Sequence, residues 1–179
     1  MLYTGKGDGG TTKMFDSPSG VRLSKSSELP EALGTLDELN AFIGFVKMRV
    51  TDNLKIAKEL RIVQEKLFIV QAEVAGADKR LKREDVTHVE EVIAQIEKEI
   101  PPVTGFCVAG GTELSALLDV ARTLSRRAER RVVAIDGSGI RKIETDSLAY
   151  MNRLSSLLFA LARLANHLEE VQEENPKYE

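Results

Sequence analysis

The sequence predicts an all-α protein, a five-helix bundle that follows an extended N-terminal loop. Five segments carry apolar residues at alternating steps of three and four, the spacing that places them on one helix face. The first 30 residues lack this period and are rich in glycine, serine, proline and aspartate. With 179 residues, 42% of them hydrophobic and 30% charged, the chain has the composition of one globular domain. We therefore expect a single domain over 1–179, with a loop at 1–30, a bundle at 31–173 and a polar tail at 174–179.

Capping residues and breakers predict where the first three helices begin and end. Residues 35–38, Thr-Leu-Asp-Glu, have the pattern of a capping box, in which the threonine and glutamate side chains satisfy free N–H groups. Asp52 is expected to cap the second helix, and Gly76 is expected to end it. The third helix is expected to end at Pro101-Pro102, because proline has no N–H for the helix ladder.

A loop separates the third helix from the fourth. Residues 101–111, PPVTGFCVAGG, form an apolar, glycine-containing segment that a helix could not accommodate. Thr112 is expected to cap the fourth helix, which runs to about Ala134. The last helix is expected from about Thr145 to Glu173. Helices with such apolar faces indicate a bundle.

Arginine is concentrated in the fourth helix of a chain whose net charge is −3. Five arginines fall within ten residues: Arg122, Arg126, Arg127, Arg130 and Arg131. At about 100° per residue, the first, second and fourth of these share one face. The apolar residues Leu117, Ala121, Leu124, Ala128 and Val132 gather on the opposite side. Three guanidinium groups on one face are suited to binding phosphate or carboxylate. The other interpretation, a solvated basic face that pairs with neighbouring helices, stays open at this point.

The N-terminal loop also has a composition suited to phosphate. Gly5, Gly7 and Gly10 satisfy G-x-G-x-x-G, but only four residues precede them, so no strand of a dinucleotide fold leads into the motif. Glycines let backbone N–H groups approach an anion. Further donors come from Thr4, Lys6, Thr11, Thr12 and Lys13. The alternative is a flexible N-terminus without a function.

Composition and short motifs argue against several classes of protein. The sequence pI of about 5.6 is unlike that of a nucleic-acid-binding protein. No run of about 18 apolar residues would span a membrane, and the first residues do not resemble a secretory signal, so a cytoplasmic location is expected. Cys107 is the single cysteine, which excludes an intramolecular disulfide. His88 and His167 lack evident partners, and metal ligation by protein side chains is not expected.

Five segments occur in the order found in PduO-type ATP:cob(I)alamin adenosyltransferases, which this chain resembles over residues 3–166. The segments are YTGKGDGGTT, EALGTLDELNAFIG, FCVAGG, ARTLSRRAERRVV and YMNRLSSLLFALARLAN. The resemblance implies a homotrimer with active sites between subunits. It also implies transfer of the 5′-deoxyadenosyl group of ATP to the cobalt of a reduced corrinoid, with release of triphosphate. ATP with Mg²⁺ and cobalamin are then the expected substrates, and a reductase and a cobalamin-dependent acceptor enzyme the expected partners.

The resemblance assigns roles by position. The ATP phosphates would be bound by Thr4, Gly5, Lys6, Gly7, Thr12 and Lys13. The nucleotide would also be contacted by Lys25, Arg126, Arg127, Glu129, Arg130 and Asn152. Arg126 and Arg130 are expected to act in catalysis, together with Phe106, the aromatic that displaces the lower axial ligand of cobalamin. Asp37 and Arg122 match an intersubunit salt bridge.

This chemistry needs binding groups more than a protein nucleophile, because cobalt(I) itself attacks. Hydrogen-bond donors directed at the leaving triphosphate would lower the barrier.

Two positions depart from the family pattern: Gly5 stands where a basic residue is usual, with Lys6 beside it, and Ala109 stands where proline is frequent. Two alternatives remain, namely simple core packing for Phe106, and a non-catalytic ATP-binding or corrinoid-carrying bundle that acts as nucleotide sensor or cofactor chaperone.

Overall fold

Helices dominate the computed structural model of the chain, which describes residues 2–51 and 53–178. Within those residues the chain forms five α-helices and one two-stranded antiparallel sheet. Their bounds are β1 Thr11–Thr12, β2 Leu23–Ser24, α1 Glu28–Met48, α2 Leu54–Val74, α3 Arg83–Glu99, α4 Glu113–Gly137 and α5 Thr145–Leu168. The predicted all-α five-helix bundle is confirmed, and the N-terminal region adds a short hairpin that the sequence analysis described only as loop.

The start of the first helix was predicted wrongly. Helix α1 begins at Glu28, and Thr35 is buried inside it, where its Oγ1 donates to the carbonyl of Glu31 at 2.7 Å. Ser27 is the N-cap residue. Pro30 falls in the first turn, where N–H groups have no partner within the helix, so proline does not interrupt it.

Side-chain caps begin two other helices. Asp52, the residue expected to cap the second helix, lies outside the described residues, and the side chain of Asn53 accepts from the N–H of Ile56 at 3.0 Å. The predicted cap of the fourth helix is confirmed, because Thr112 Oγ1 accepts from the N–H of Ser115 at 3.0 Å. This cap fixes the point at which the loop 101–111 enters α4.

Helix α5 ends at Leu168, five residues before the predicted Glu173. Glu170 takes the left-handed conformation with φ of 55°, and the N–H of Val171 donates to the carbonyl of Asn166 at 2.9 Å. This is a Schellman motif with glutamate at the position that usually holds glycine, so no glycine marks the end of the helix in the sequence. The chain after α5 therefore turns back along the bundle.

The core lies between α5 and the helices that pack on it. Helices α3 and α4 both contact α5, while α1 packs against α2 and α4. Of the apolar face predicted for α4, Ala121, Ala128 and Val132 are fully buried and the two leucines are half-buried. Among residues 2–51 and 53–178, no helix is both long and apolar enough to cross a membrane.

The N-terminal hairpin is fastened to the bundle at its turn. Asp16 accepts two hydrogen bonds from Arg141, at 2.6 and 3.0 Å, and the N–H of Phe15 donates to the carbonyl of Ala75 at 3.0 Å. A Cβ on Gly76, whose φ is +92°, would lie 2.3 Å from the Asp16 carboxyl carbon. Because Gly76 has no side chain, the end of α2 leaves space for the Asp16 carboxylate. The Arg141 guanidinium lowers the pKa of the Asp16 carboxyl.

Candidate active site

Two of the five arginines on α4 pair with the neighbouring helix α1. Arg127 forms an ion pair with Glu38, and Arg131 Nη2 lies 3.3 Å from Glu31 Oε1. All four side chains are exposed, so these pairs contribute little to stability. These two arginines therefore make the pairs expected of a basic face beside a neighbouring helix, and the predicted contact of Arg127 with the nucleotide stays a prediction.

Arg126 and Arg130 differ from these two. Both are exposed, and within residues 2–51 and 53–178 neither makes an ion pair or a hydrogen bond through its side chain. They are four residues apart, about one helical turn, so their side chains leave the same face of the helix. Between them, Glu129 accepts a hydrogen bond from Asn152 Nδ2 of α5 at 2.9 Å. The face therefore presents two free cations beside an amide that is held in place.

Arg126 also lines a cleft of about 400 Å³ between α3, α4 and α5. Two other arginines, Arg122 and Arg163, line the same cleft. The remaining lining includes the apolar side chains Ile93, Ile100, Val103 and Phe159. A cleft with cations and an apolar wall suits a ligand that has both anionic and apolar parts.

Lys25 lies next to the glycine-containing segment 5–10, which we call the glycine loop, at the end of the hairpin away from Asp16. The N–H of Lys25 donates to the carbonyl of Gly10 at 2.9 Å, and a Cβ on Gly7 would lie 3.0 Å from Lys25 Nζ. Gly5 and Gly10 have φ of +68° and +73°, which only glycine adopts readily. The structure thus brings together Gly7 and Lys25, two residues predicted to contact ATP.

The other residues predicted for this loop are available to a ligand. Thr4, Lys6 and Lys13 are exposed, and Thr12 is half-buried in β1 opposite Leu23. Among the described residues, no hydrogen bond or ion pair joins the loop to Arg126 or Arg130. The two elements predicted to bind phosphate therefore make no polar contact with each other within the described residues of one chain.

The intersubunit salt bridge predicted for Asp37 and Arg122 is not formed within one chain. Asp37 is exposed on α1 and has no ion pair in the described part of the chain. Arg122 Nε instead donates to Asp119 Oδ1 at 3.0 Å. Within the described residues, the two terminal nitrogens of Arg122 make no ion pair or hydrogen bond, and a second carboxylate could bind there.

Phe106 is 79% exposed, so it does not pack into the core as the alternative interpretation expected. It lies in the segment 101–111, which we call the Phe106 loop. Its neighbour Cys107 donates through Sγ to Glu173 Oε2 at 3.3 Å. Burial raises the pKa of this thiol, and the hydrogen bond to Glu173 raises it further. Cys107 therefore stays protonated at neutral pH and is unsuited to act as a nucleophile.

A buried charged cluster behind the Phe106 loop was missed by the sequence analysis. Arg163, which is 2% exposed, donates to Asp119 Oδ2 at 2.9 Å and to Ser115 Oγ at 3.2 Å. Its Nε lies 2.6 Å from Glu173 Oε1. The signal was present in the sequence, because an arginine inside the apolar run ALARLAN predicts a buried ion pair.

The two histidines do not form a metal site. His88 Nε2 lies 2.8 Å from Glu59 Oε2, which links α3 to α2. In the range 2–178 apart from residue 52, no group of three or more histidine, cysteine, aspartate or glutamate side chains is placed to hold a metal ion. Mg²⁺ that accompanies a nucleotide would have to be bound mainly by phosphate oxygens.

The fold and this geometry define a class of protein, a helical bundle with an exposed basic face beside a cleft of mixed polar and apolar lining. Comparison with known proteins identifies the family. Residues 2–165 match the family model described as Cobalamin adenosyltransferase, and the chain belongs to that family. The resemblance found in the sequence is confirmed.

Individual relatives agree with this assignment. The chain is 38% identical over 172 residues to a corrinoid adenosyltransferase of Bacillus subtilis (strain 168), covering 92% of this chain and 86% of that protein. It is 36% identical over 170 residues to one from Citrobacter freundii, covering 91% and 93%. A variant of the PduO-type ATP:corrinoid adenosyltransferase from Lactobacillus reuteri, solved in complex with cobalamin and ATP, superimposes with a TM-score of 0.89 at 32% identity, covering 97% and 95%.

Proposed function

We propose that this chain is an enzyme that transfers the 5′-deoxyadenosyl group of ATP to the cobalt of cob(I)alamin, forming adenosylcobalamin and releasing triphosphate. The observation that carries the proposal is the pair Arg126 and Arg130, which have no carboxylate partner within residues 2–51 and 53–178, on a helix whose other arginines are paired. The relative solved with cobalamin and ATP supports both substrates.

In this reaction, negative charge develops on the leaving group and has to be stabilised. The electron pair of cobalt(I) attacks C5′ of ATP, the cobalt–carbon bond forms, and the C5′–O bond breaks with its electrons leaving on triphosphate. Donors from Arg126 and Arg130 would stabilise the charge that grows on this group, more in the transition state than in bound ATP. Mg²⁺ on the phosphates would share the same charge.

Glu129 and Asn152 would orient the nucleotide without taking part in the bond changes. Their 2.9 Å hydrogen bond joins α4 to α5 at the arginine face. Arg153 donates to Asn152 Oδ1 at 2.6 Å, which fixes the amide in one orientation. A fixed amide is a better binding group than a rotating one, because less entropy is lost when ATP binds.

Phe106 would act on the corrinoid. Its ring is exposed on a loop whose Val103 lines the cleft next to Arg126. An apolar ring near cobalt would keep water and the lower axial ligand away. Without that ligand cobalt(II) is less stabilised, so its reduction to cobalt(I) becomes easier.

We further propose that the active site forms between subunits of a homotrimer. Helices α1 and α4 leave side by side an exposed stripe of small and apolar residues: Ala41, Phe45, Met48, Ala116 and Val120. A second copy of the chain would bury this stripe. Asp37 would then reach the free nitrogens of Arg122 of the partner subunit, and the glycine loop of one subunit would close over Arg126 and Arg130 of the next.

The chemistry also requires other proteins. Cob(I)alamin has to be supplied by a reductase, and adenosylcobalamin is consumed by a cobalamin-dependent acceptor enzyme. We propose these partners, together with a cytoplasmic location, as consequences of the activity. Pull-down from a cytoplasmic extract with the adenosylcobalamin-loaded protein tests both the acceptor and the compartment.

A single assay tests the activity. The protein is given ATP, Mg²⁺ and chemically reduced cobalamin, and the cobalt–carbon product is followed by absorbance while triphosphate is quantified. We expect equal amounts of the two products. If ATP binds but no adenosylcobalamin forms, the non-catalytic sensor or chaperone is the correct function.

A further inference from the structure

The chain that follows α5 folds back onto the Phe106 loop. The N–H of Val108 donates to the carbonyl of Glu174 at 2.8 Å, and Cys107 donates to the Glu173 carboxylate. We call residues 169–175 the C-terminal strap. Between the strap and the loop lies a cavity of about 360 Å³ that is lined on both sides by these two segments. The position of the loop therefore depends on where the strap is docked.

An ion pair between Glu173 and the buried Arg163 holds the strap in place. Arg163 is a buried cation, and such a charge is stable only beside carboxylates that replace its water. One carboxylate, that of Asp119, is shared, because its other oxygen accepts from Arg122. Glu173 is the second carboxylate, and it comes from the strap.

Glu173 also reaches the far end of the Phe106 loop through Asn166. Asn166 Nδ2 donates to Glu173 Oε1 at 3.1 Å and to the carbonyl of Gly110 at 3.0 Å. Its Oδ1 accepts from the N–H of Thr112 at 2.9 Å. A Cβ on Gly111 would lie 2.4 Å from this Oδ1, so the loop can approach Asn166 only because this residue is glycine.

We propose that Glu173 is a positioning residue: by binding Arg163 and Asn166 it docks the C-terminal strap and sets the place of Phe106 for the corrinoid. The proposal rests on the proposed function. Glu173 makes no hydrogen bond or ion pair to Arg126 or Arg130 in the described part of the chain, so it acts on the corrinoid side of the reaction and not on ATP binding.

The test compares Glu173→Gln with Glu174→Gln. The first removes the carboxylate that pairs with Arg163 and leaves an amide of nearly the same size in its place. The second is a matched control, because Glu174 is exposed and only its backbone carbonyl contacts the loop. Loss of a charge-assisted hydrogen bond predicts about a tenfold rise in KM for cob(I)alamin for Glu173→Gln, with KM for ATP within about twofold of wild type. Glu174→Gln should match wild type for both substrates.

A second measurement needs no activity. Amide hydrogen exchange over residues 103–111 should be faster in Glu173→Gln and unchanged in Glu174→Gln, because the strap no longer protects the loop. Glu173→Asp keeps a carboxylate for Arg163 on a side chain that is one methylene shorter. Hydrogen exchange over residues 103–111 should therefore be faster than in wild type, but by less than in Glu173→Gln.

The outcomes separate the two proposals. If the wild-type protein forms no adenosylcobalamin, the proposed function fails, and the exchange data still decide whether Glu173 docks the strap. Unchanged exchange and unchanged KM for cob(I)alamin in Glu173→Gln would overturn the positioning role. An equal rise in both KM values would overturn it as well, because it would show a general loss of structure.

Discussion

The hairpin that carries the glycine loop and the Phe106 loop are fastened to the helical bundle in opposite ways. Asp16 and Arg141 hold the hairpin through a bidentate ion pair at the surface. The Phe106 loop is held by Arg163 and its two carboxylates inside the protein. A surface pair is worth about 0–1 kcal/mol, whereas breaking a buried pair costs about 3–5 kcal/mol. The ion pair that fastens the hairpin should therefore contribute less to stability than the one that fastens the Phe106 loop.

The largest expected effect comes from removing the buried cation. Arg163→Met leaves Glu173 without its cation and removes one of the two arginines bound to Asp119. We expect the free energy of unfolding to fall by about 3–5 kcal/mol in urea titrations. Arg153→Met is the control on the same helix, since its exposed pair with Glu90 should contribute at most about 1 kcal/mol. Equal decreases in the free energy of unfolding in both variants would show that the buried ion pair stabilises the protein no more than the exposed one.

Replacing the aromatic ring tests the corrinoid side alone. Phe106 is exposed, so Phe106→Ala should leave stability nearly unchanged while adenosylation of cobalamin falls. ATP affinity, measured by isothermal titration calorimetry, should stay near that of wild type, because the ring is proposed to contact the corrinoid and not the nucleotide. A parallel loss of ATP affinity would place Phe106 in a folding role.

Removing a free cation tests the nucleotide side. Arg126→Ala should lower turnover at least about tenfold, because it deletes a donor to the leaving triphosphate. Arg131→Ala is the matched control, since Arg131 already pairs with Glu31. Steady-state rates with saturating cobalamin provide the comparison. Unchanged turnover in Arg126→Ala would exclude this residue from the site.

Periodicity and capping predicted the helices better than their ends. The fully buried Ala121 and Val132 confirm the helical face, and Thr112 confirms a cap. Helix α1 starts early because Pro30 is compatible with a first turn, and α5 stops early because Glu170 takes a conformation typical of glycine. Local sequence does not determine where α1 starts or where α5 ends, because each position depends on the balance between local backbone strain and packing.

The site was harder to predict than the fold, because its contacts join distant parts of the chain. Asp119 and Arg163 are 44 residues apart in sequence, and their pairing follows from how α4 packs on α5. The proximity of Lys25 to Gly7 depends on the hairpin, whose two-residue strands are too short for a periodic signal. The predicted roles of Arg126, Arg130 and Phe106 came from family resemblance, since spacing alone also fits a solvated basic face.

The smallest expected effect tests the surface anchor of the hairpin. Asp16→Asn should lower the free energy of unfolding by about 1 kcal/mol, because the ion pair is partly exposed at the surface and screened by salt. The pKa of Asp16 is lowered in the folded protein, so its contribution is complete above the unfolded pKa of about 4 and is lost as pH falls through the folded value. Urea titrations of wild type and Asp16→Asn should therefore differ at pH 7 and converge in acid. A difference that persists in acid, or one as large as that of Arg163→Met, would show that Asp16 stabilises the fold by more than this ion pair.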